Sequence, residues 1–160
     1  MFRKKKVEVK PERSLAKGML AGMIGGLAAT AGKTLAERVF PPKKREPQLL
    51  LAEKISSKVG HELTVREKQV VAHTLHWGFG AVAGAAYGGV AEYFPAATGK
   101  DGANFGMAMA TLTHDGGLPA LGFIAAPKKQ SGMERTSEAV SYVVFGLVTE
   151  TVRRIVRKRL

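Results

Sequence analysis

Residues 80–88 read GAVAGAAYG, so that glycine recurs at every fourth position, at Gly80, Gly84 and Gly88. The repeat lies inside Val70–Ala91, a run of 22 residues without a formally charged side chain. A helix of that length crosses a hydrocarbon core of about 30 Å, and glycine along one face lets a second helix approach closely. The stretch therefore predicts a transmembrane helix that packs tightly against a neighbour.

Three other segments have the same composition, rich in Ala and Gly and poor in Leu and Ile. The first repeats the four-residue glycine spacing, the second carries one formal charge, at Asp115, and the third is the shortest. These segments are Gly18–Gly32 with its repeat Gly18, Gly22 and Gly26, then Gly102–Pro127, and finally Ala139–Thr149. Such weakly hydrophobic helices insert poorly as single spans, so we expect them to be stable only when packed together.

The fold expected from these runs is all-α: a small polytopic membrane bundle of about four glycine-rich helices. The sequence Gly116-Gly117-Leu118-Pro119 predicts that the third helix is broken near Gly116–Pro119, because proline removes a backbone donor and glycine weakens a helix. A length of 160 residues fits one membrane domain, residues 14–160, after a basic and mobile N-terminal segment at 1–13.

Residues 41–69 are expected to form a polar connection between the first two main helices. Within it, Leu51, Ile55 and Val59 recur at helical spacing and predict a short amphipathic helix along the headgroups or over the end of the bundle. Residues 64–67 (TVRE) have the form of a capping box and predict the start of the second main helix. The aromatic residues expected to anchor that helix at the membrane interface are Trp77, Tyr87, Tyr93 and Phe94.

A soluble helical domain is the alternative to a membrane bundle. Glycine costs about 1 kcal/mol relative to alanine in the interior of a water-exposed helix. The chain has 19 glycines, many of them inside the apolar runs, which makes water-soluble helices poor. Glycine is more frequent in transmembrane helices, so the composition favours the membrane.

The chain carries a formal charge of +12, and its basic residues lie outside the apolar runs. Anionic lipid headgroups attract Lys and Arg at such positions by about 1 kcal/mol each. Nucleic acid is the alternative partner for so basic a chain. The sequence contains no nucleic-acid-binding motif, so we do not expect the protein to bind nucleic acid. There is no cysteine, so no disulfide can form. The residues expected at the headgroups are Lys43, Lys44, Arg45, Arg153, Arg154 and Arg157.

The distribution of basic residues leaves two topologies open. If all four segments span, the N-terminus, the 94–101 turn and the C-terminus share one side with thirteen basic residues, against ten on the other. That difference is too small for the positive-inside rule to decide orientation. If segments one and four only dip into the membrane, the 94–101 turn alone lies on the outer side.

Five polar residues lie inside or beside the apolar runs and form the candidate functional cluster. Ionisable groups at membrane depth are costly and usually face the bundle interior in pairs. They could relay protons, bind a divalent metal or line a solute path, or they could simply pair structurally where the helix breaks. No complete metal-ligand spacing or catalytic motif is present, so no metal, cofactor or catalytic residue is expected. The five are His73, His76, His114, Asp115 and Glu138.

With these residues assembled, the chain resembles the YagU-like bacterial inner-membrane proteins, a family of uncharacterised function. The resemblance implies the membrane location and the helical fold but no activity. Relatives carry Glu where this chain has Asp115, and His where it has Ser141, which weakens a metal or proton site here. The matching residues are His76-Trp77-Gly78-Phe79-Gly80, Gly84, Tyr87, Pro95, Gly102, Phe105-Gly106, His114-Asp115, Leu118-Pro119-Ala120-Leu121-Gly122, Glu138 and Phe145-Gly146.

The function expected is that of a small integral protein of the cell inner membrane, not an enzyme. It would act as a scaffold or accessory component through close helix packing, as a homo-oligomer or as a subunit of a membrane complex, surrounded by anionic lipids. The first alternative is a proton, ion or small-solute pathway through the polar cluster at the helix-three break. The second alternative is a basic soluble protein that binds nucleic acid.

Overall fold

The computed structural model describes the backbone of residues 12–39, 52–53, 56–57, 60, 63–115 and 132–160. Side chains are described in the same ranges except at 36–39, 114–115, 132–135 and 137–138. The described chain is all-helical, with no strand in these ranges. Its four main helices are α1 (Leu15–Val39), α2 (Val65–Tyr93), α3 (Ala103–Ala110) and α4 (Gly132–Arg157).

Helices α1 and α2 pack antiparallel, with their glycine stripes facing each other. A Cβ atom placed on Gly22 would lie under 3.0 Å from the backbone of Gly84 and Gly88. A Cβ on Gly26 would overlap the carbonyl oxygen of Gly80. The two backbones are therefore in direct contact, and a side chain larger than glycine at these positions would force them apart.

The second interface joins α4 to α1 and to α3, again through small residues. A Cβ on Gly25 of α1 would overlap the carbonyl oxygen of Thr149, and one on Gly106 of α3 would overlap that of Tyr142. Gly102, at the start of α3, faces Gly146 in the same way. Because contacts of α1 and α3 with α4 run in opposite residue order, both helices lie antiparallel to α4.

Helix α2 begins where the capping box predicts. The Thr64 hydroxyl accepts a hydrogen bond from the Glu67 backbone N–H at 3.3 Å, and the Glu67 carboxylate accepts one from the Thr64 N–H at 2.8 Å. The two bonds satisfy donors that the first helical turn would leave unpaired, so this prediction is confirmed.

The connection from α2 to α3 is a 3₁₀ segment, Pro95–Gly102, with a kink inside it. Helix α3 then continues as a single π-helical turn, Thr111–Asp115. The predicted break near Gly116–Pro119 lies outside the described residues. Most of the N-terminal segment 1–13, predicted to be mobile, also lies outside the described residues, and so does the predicted amphipathic face Leu51, Ile55 and Val59.

Few large apolar side chains are buried in this bundle: among the described residues they are Tyr87, Met109, Tyr142 and Phe145. Among the described residues the largest fully buried side chains are Glu150 and Thr149, and the buried apolar residues are mostly alanines. Large apolar side chains are instead exposed on all four helices. Examples are Leu20, Ile24, Phe79, Val82, Met107, Val144 and Leu147.

One described helix is long and apolar enough to cross a membrane: Leu15–Leu35 of α1, with a mean hydropathy of 1.2. Only 39% of its most apolar stretch is buried against the rest of the described chain. A core helix of a soluble protein, or a signal sequence, also meets this criterion. A bundle that crosses the membrane several times therefore stays a prediction.

Candidate functional site

An ionic network with a buried centre and an exposed edge, which we call the Glu150 cluster, occupies one half of the bundle. It consists of Tyr87 on α2, Asp101 before α3, and Glu150, Arg153 and Arg154 on α4. The Tyr87 hydroxyl donates to Oε2 of Glu150 at 2.8 Å, and both Arg153 and Arg154 donate to the same carboxylate at 2.6 Å. Arg154 also donates from Nη1 to Oδ1 of Asp101 at 2.8 Å. The Glu150 carboxylate thus joins α4 to α2, and Arg154 extends the network to the segment before α3.

The local part of this network follows from helix geometry. Arg153 and Arg154 stand three and four residues after Glu150, the spacings at which side chains meet on one helix face. Glu150 is 0% exposed and Arg153 is 8% exposed. Burial of a carboxylate is costly, and here two guanidinium groups and a phenol offset the cost by donating to both of its oxygens.

A second network, the Glu92 cluster, lies nearer the end of the bundle. Arg157 of α4 donates to Glu92 of α2 from Nε at 3.0 Å and from Nη2 at 2.5 Å. The backbone N–H of Ser14, just before α1, donates to the same carboxylate at 2.9 Å. The hydrogen bonds from Arg157, with the one from Ser14, outweigh the effect of burial and hold the pKa of Glu92 below its usual range. The same pairing raises the pKa of Arg157.

The other half of the bundle contains a layer of polar side chains, the His76 layer. Nε2 of His76 on α2 lies 3.3 Å from Oγ1 of Thr34 on α1. The ammonium group of Lys33 lies 4.6 Å from the ring centroid of Tyr142 on α4, within the range of a cation–π contact. The Tyr142 hydroxyl oxygen lies 2.8 Å from Oγ1 of Thr113, in the π-helical turn. This layer thus receives polar groups from each main helix or its continuation.

The structure describes the side chains of two members of the predicted polar cluster. His73 is exposed on α2, whereas His76 is half-buried in the His76 layer. The backbones of His114, Asp115 and Glu138 are helical, but their side chains lie outside the described residues. Where side chains are described, no group of three or more His, Cys, Asp or Glu residues could hold a metal ion.

Three of the arginines predicted at lipid headgroups are ion-paired within the protein. Arg153 is buried against Glu150, while Arg154 and Arg157 keep part of their guanidinium groups at the surface. The basic residues Lys43, Lys44 and Arg45 lie outside the described residues. Tyr87, predicted as an interface anchor, is buried in the Glu150 cluster instead, because its hydroxyl finds a carboxylate inside the bundle.

The fold and these clusters define a class: a glycine-packed, antiparallel helical bundle with ion pairs buried between its helices. A family model matches residues 27–151, which is most of the chain. The protein therefore belongs to the DUF1440 family, whose members are described as proteins of unknown function. No curated protein and no solved structure gave a significant match to the chain.

Proposed function

We propose that this protein is a small integral membrane protein that acts as a structural or accessory component and catalyses no reaction. Its resemblance to the YagU-like proteins implies that the membrane is the inner membrane. The observation that carries the membrane assignment is the number of large apolar side chains that are exposed on the described helices. Soluble monomers rarely expose large contiguous apolar patches, yet here apolar side chains face outward on every main helix. Hydrocarbon chains are the surroundings in which such a surface is stable.

The accessory role is supported by how the polar groups are used. The Glu150 carboxylate accepts hydrogen bonds from two arginines of its own helix and from Tyr87 of α2. The Glu92 carboxylate accepts them from Arg157 of α4 and from the backbone of Ser14. Hydrogen bonds of this kind hold the helices together, which is a structural role for these carboxylates. The facing glycine stripes are engaged within one chain, so contacts with a second copy or another subunit would use the exposed apolar faces of the helices.

The absence of cysteine makes a sharp test of membrane location possible. The test variant is Val82→Cys, because Val82 lies in the middle of α2 and is 70% exposed. The matched control is Lys100→Cys, in the 94–101 segment. In membrane vesicles opened to both sides, a charged maleimide should label Lys100→Cys and spare Val82→Cys until detergent is added. Equal labelling of the two without detergent, together with release by a carbonate wash, would refute the membrane assignment and revive the nucleic-acid alternative.

Sizing in mild detergent tests the accessory role separately. We expect the protein to elute as a homo-oligomer or with a co-purifying membrane subunit. A lone monomer from a native membrane extract, with nothing co-purifying, would contradict this role while leaving the membrane assignment intact.

A second candidate is a proton, ion or small-solute pathway, and the His76 layer is the observation that favours it. Polar groups of α1, α2 and α4 meet there next to Thr113, which directly precedes His114 and Asp115. The test is flux into liposomes that contain the purified protein, compared with an Asp115→Asn variant. A flux equal to that of empty vesicles for the unmodified protein would exclude this candidate.

A further inference from the structure

A basic cleft opens at the end of the bundle where α1 begins and α4 ends. Its volume is about 430 Å³. Five of the residues that line it are cationic, and one is acidic. The lining consists of Glu12, Lys17, Arg153, Arg154, Arg157, Lys158 and Leu160.

The three arginines at this cleft are held in fixed orientations by carboxylates on one side. Glu150 receives Nε and Nη2 of Arg153 as well as Nε of Arg154, and Glu92 receives Nε and Nη2 of Arg157. The hydrogen bonds among the described residues use neither Nη1 of Arg153 nor Nη1 of Arg157. Oriented guanidinium groups that keep donors in reserve are well suited to the oxygens of a phosphate group.

Two lysines also line the cleft. Lys17 donates from Nζ to the backbone oxygen of Leu160 at 2.6 Å, and Lys158 directly follows Arg157, the last residue of α4. Both are exposed. The carboxylates that pair with the arginines, Glu92 and Glu150, do not line the cleft, and Glu12 is its one acidic side chain.

The position of the cleft indicates where the phosphate comes from. Lys17 stands two residues after Leu15, where the apolar helix Leu15–Leu35 begins. The exposed apolar residues Leu15 and Met19 of α1, and Ile155 of α4, belong to the same end of the bundle. In a membrane this level corresponds to the headgroups, where basic pockets between helices bind anionic lipids.

We propose that this cleft is a binding site for the phosphate group of an anionic phospholipid. The inference rests on the proposed membrane location, and it goes further by assigning a discrete lipid site to Lys17, Lys158 and the three arginines. The ion pairs of the Glu150 and Glu92 clusters act as positioning contacts for the guanidinium groups.

The test is native mass spectrometry of the detergent-purified protein with added phosphatidylglycerol, phosphatidylcholine or inorganic phosphate. The unmodified protein should bind phosphatidylglycerol at least tenfold more tightly than phosphatidylcholine. Binding of inorganic phosphate that displaces phosphatidylglycerol at equal concentration would show a site for free phosphate and overturn the lipid assignment. Equal affinity for the two lipids would overturn the site itself, and this comparison needs no variant.

A pair of double variants locates the site. Lys17→Ala with Lys158→Ala removes two cations from the cleft, whereas Arg66→Ala with Lys68→Ala removes two from the first turn of α2, at the other end of the bundle. We expect the first pair to lose roughly tenfold or more in phosphatidylglycerol affinity and the second to keep it. Equal losses would indicate diffuse attraction and overturn the proposal. Failure of the maleimide test would contradict the membrane location itself. An integral membrane protein without lipid preference would contradict only the lipid site.

Discussion

The phenolic hydroxyl of Tyr87 on α2 donates a 2.8 Å hydrogen bond to the fully buried carboxylate of Glu150 on α4. The two residues are far apart in the sequence, at a separation of 63 positions. The contact fixes how α2 and α4 are placed relative to each other. Phe105 stacks on the Tyr87 ring with centroids 4.2 Å apart and shields the pair from the α3 side.

The Tyr87→Phe variant should be less stable by about 1.5–2 kcal/mol. A hydrogen bond to a charged group contributes about 1.5–3 kcal/mol, and the two arginines that remain on Glu150 limit the loss to the lower part of that range. The measurement is denaturant unfolding in mild detergent, followed by circular dichroism. Tyr93→Phe is the control, because Tyr93 is exposed. Equal stability of the two variants would show that the Tyr87 contact does not contribute.

Gly22→Ala should destabilise the bundle by a few kcal/mol, because the added methyl group would overlap the backbones of Gly84 and Gly88, which cannot yield as a flexible side chain can. Gly78→Ala is the matched control on α2, since a Cβ there meets nothing within 4 Å among the described residues. That change should be neutral or should stabilise the helix by up to about 1 kcal/mol. The measurement is the thermal unfolding midpoint of both variants in detergent. A Gly22→Ala protein as stable as the unmodified protein would contradict the close packing of α1 and α2.

The sequence was sufficient to predict that the described chain is helical and through which residues two of its helices touch. Glycine every four residues indicates a flat helix face whatever the partner, and Gly22 and Gly84 do lie on such faces. The sequence also predicted the first turn of α2, because the hydrogen bonds between Thr64 and Glu67 depend only on two residues three positions apart.

The burial of Glu150 could not be predicted in the same way. Its spacing to Arg153 and Arg154 is visible in the sequence, but that pattern is equally typical of an exposed helix face. What distinguishes it is Tyr87 on another helix, and a single sequence does not show which helices adjoin. For the same reason Tyr87 was expected at the membrane interface, where tyrosine is common.

Acid should weaken the bundle partly through Glu92. Because the pKa of Glu92 is lower in the folded protein than its ordinary value of 4.5, the folded state binds protons less readily than the unfolded state. The stabilisation is therefore complete well above pH 4.5 and is lost as the pH falls below that value. We expect the unfolding midpoint of the unmodified protein to drop across this interval more steeply than that of Glu92→Gln. Parallel curves for the two proteins would mean that Glu92 is not linked to folding.

Gly102→Ala and Lys100→Gly should change stability in opposite directions. Lys100, Asp101 and Gly102 all have positive φ angles, of 53°, 54° and 92°, a region that residues with a Cβ adopt at some cost. Glycine at position 100 relieves that cost and should stabilise the protein by up to about 1 kcal/mol, since Lys100 is exposed. Alanine at position 102 adds backbone strain and would also overlap the carbonyl oxygen of Gly146, so it should cost several kcal/mol. The measurement is chemical unfolding of the two variants and of Lys100→Ala. Lys100→Ala is the control, because it removes the lysine side chain but keeps the backbone strain. A Lys100→Gly protein no more stable than Lys100→Ala would refute the strained turn.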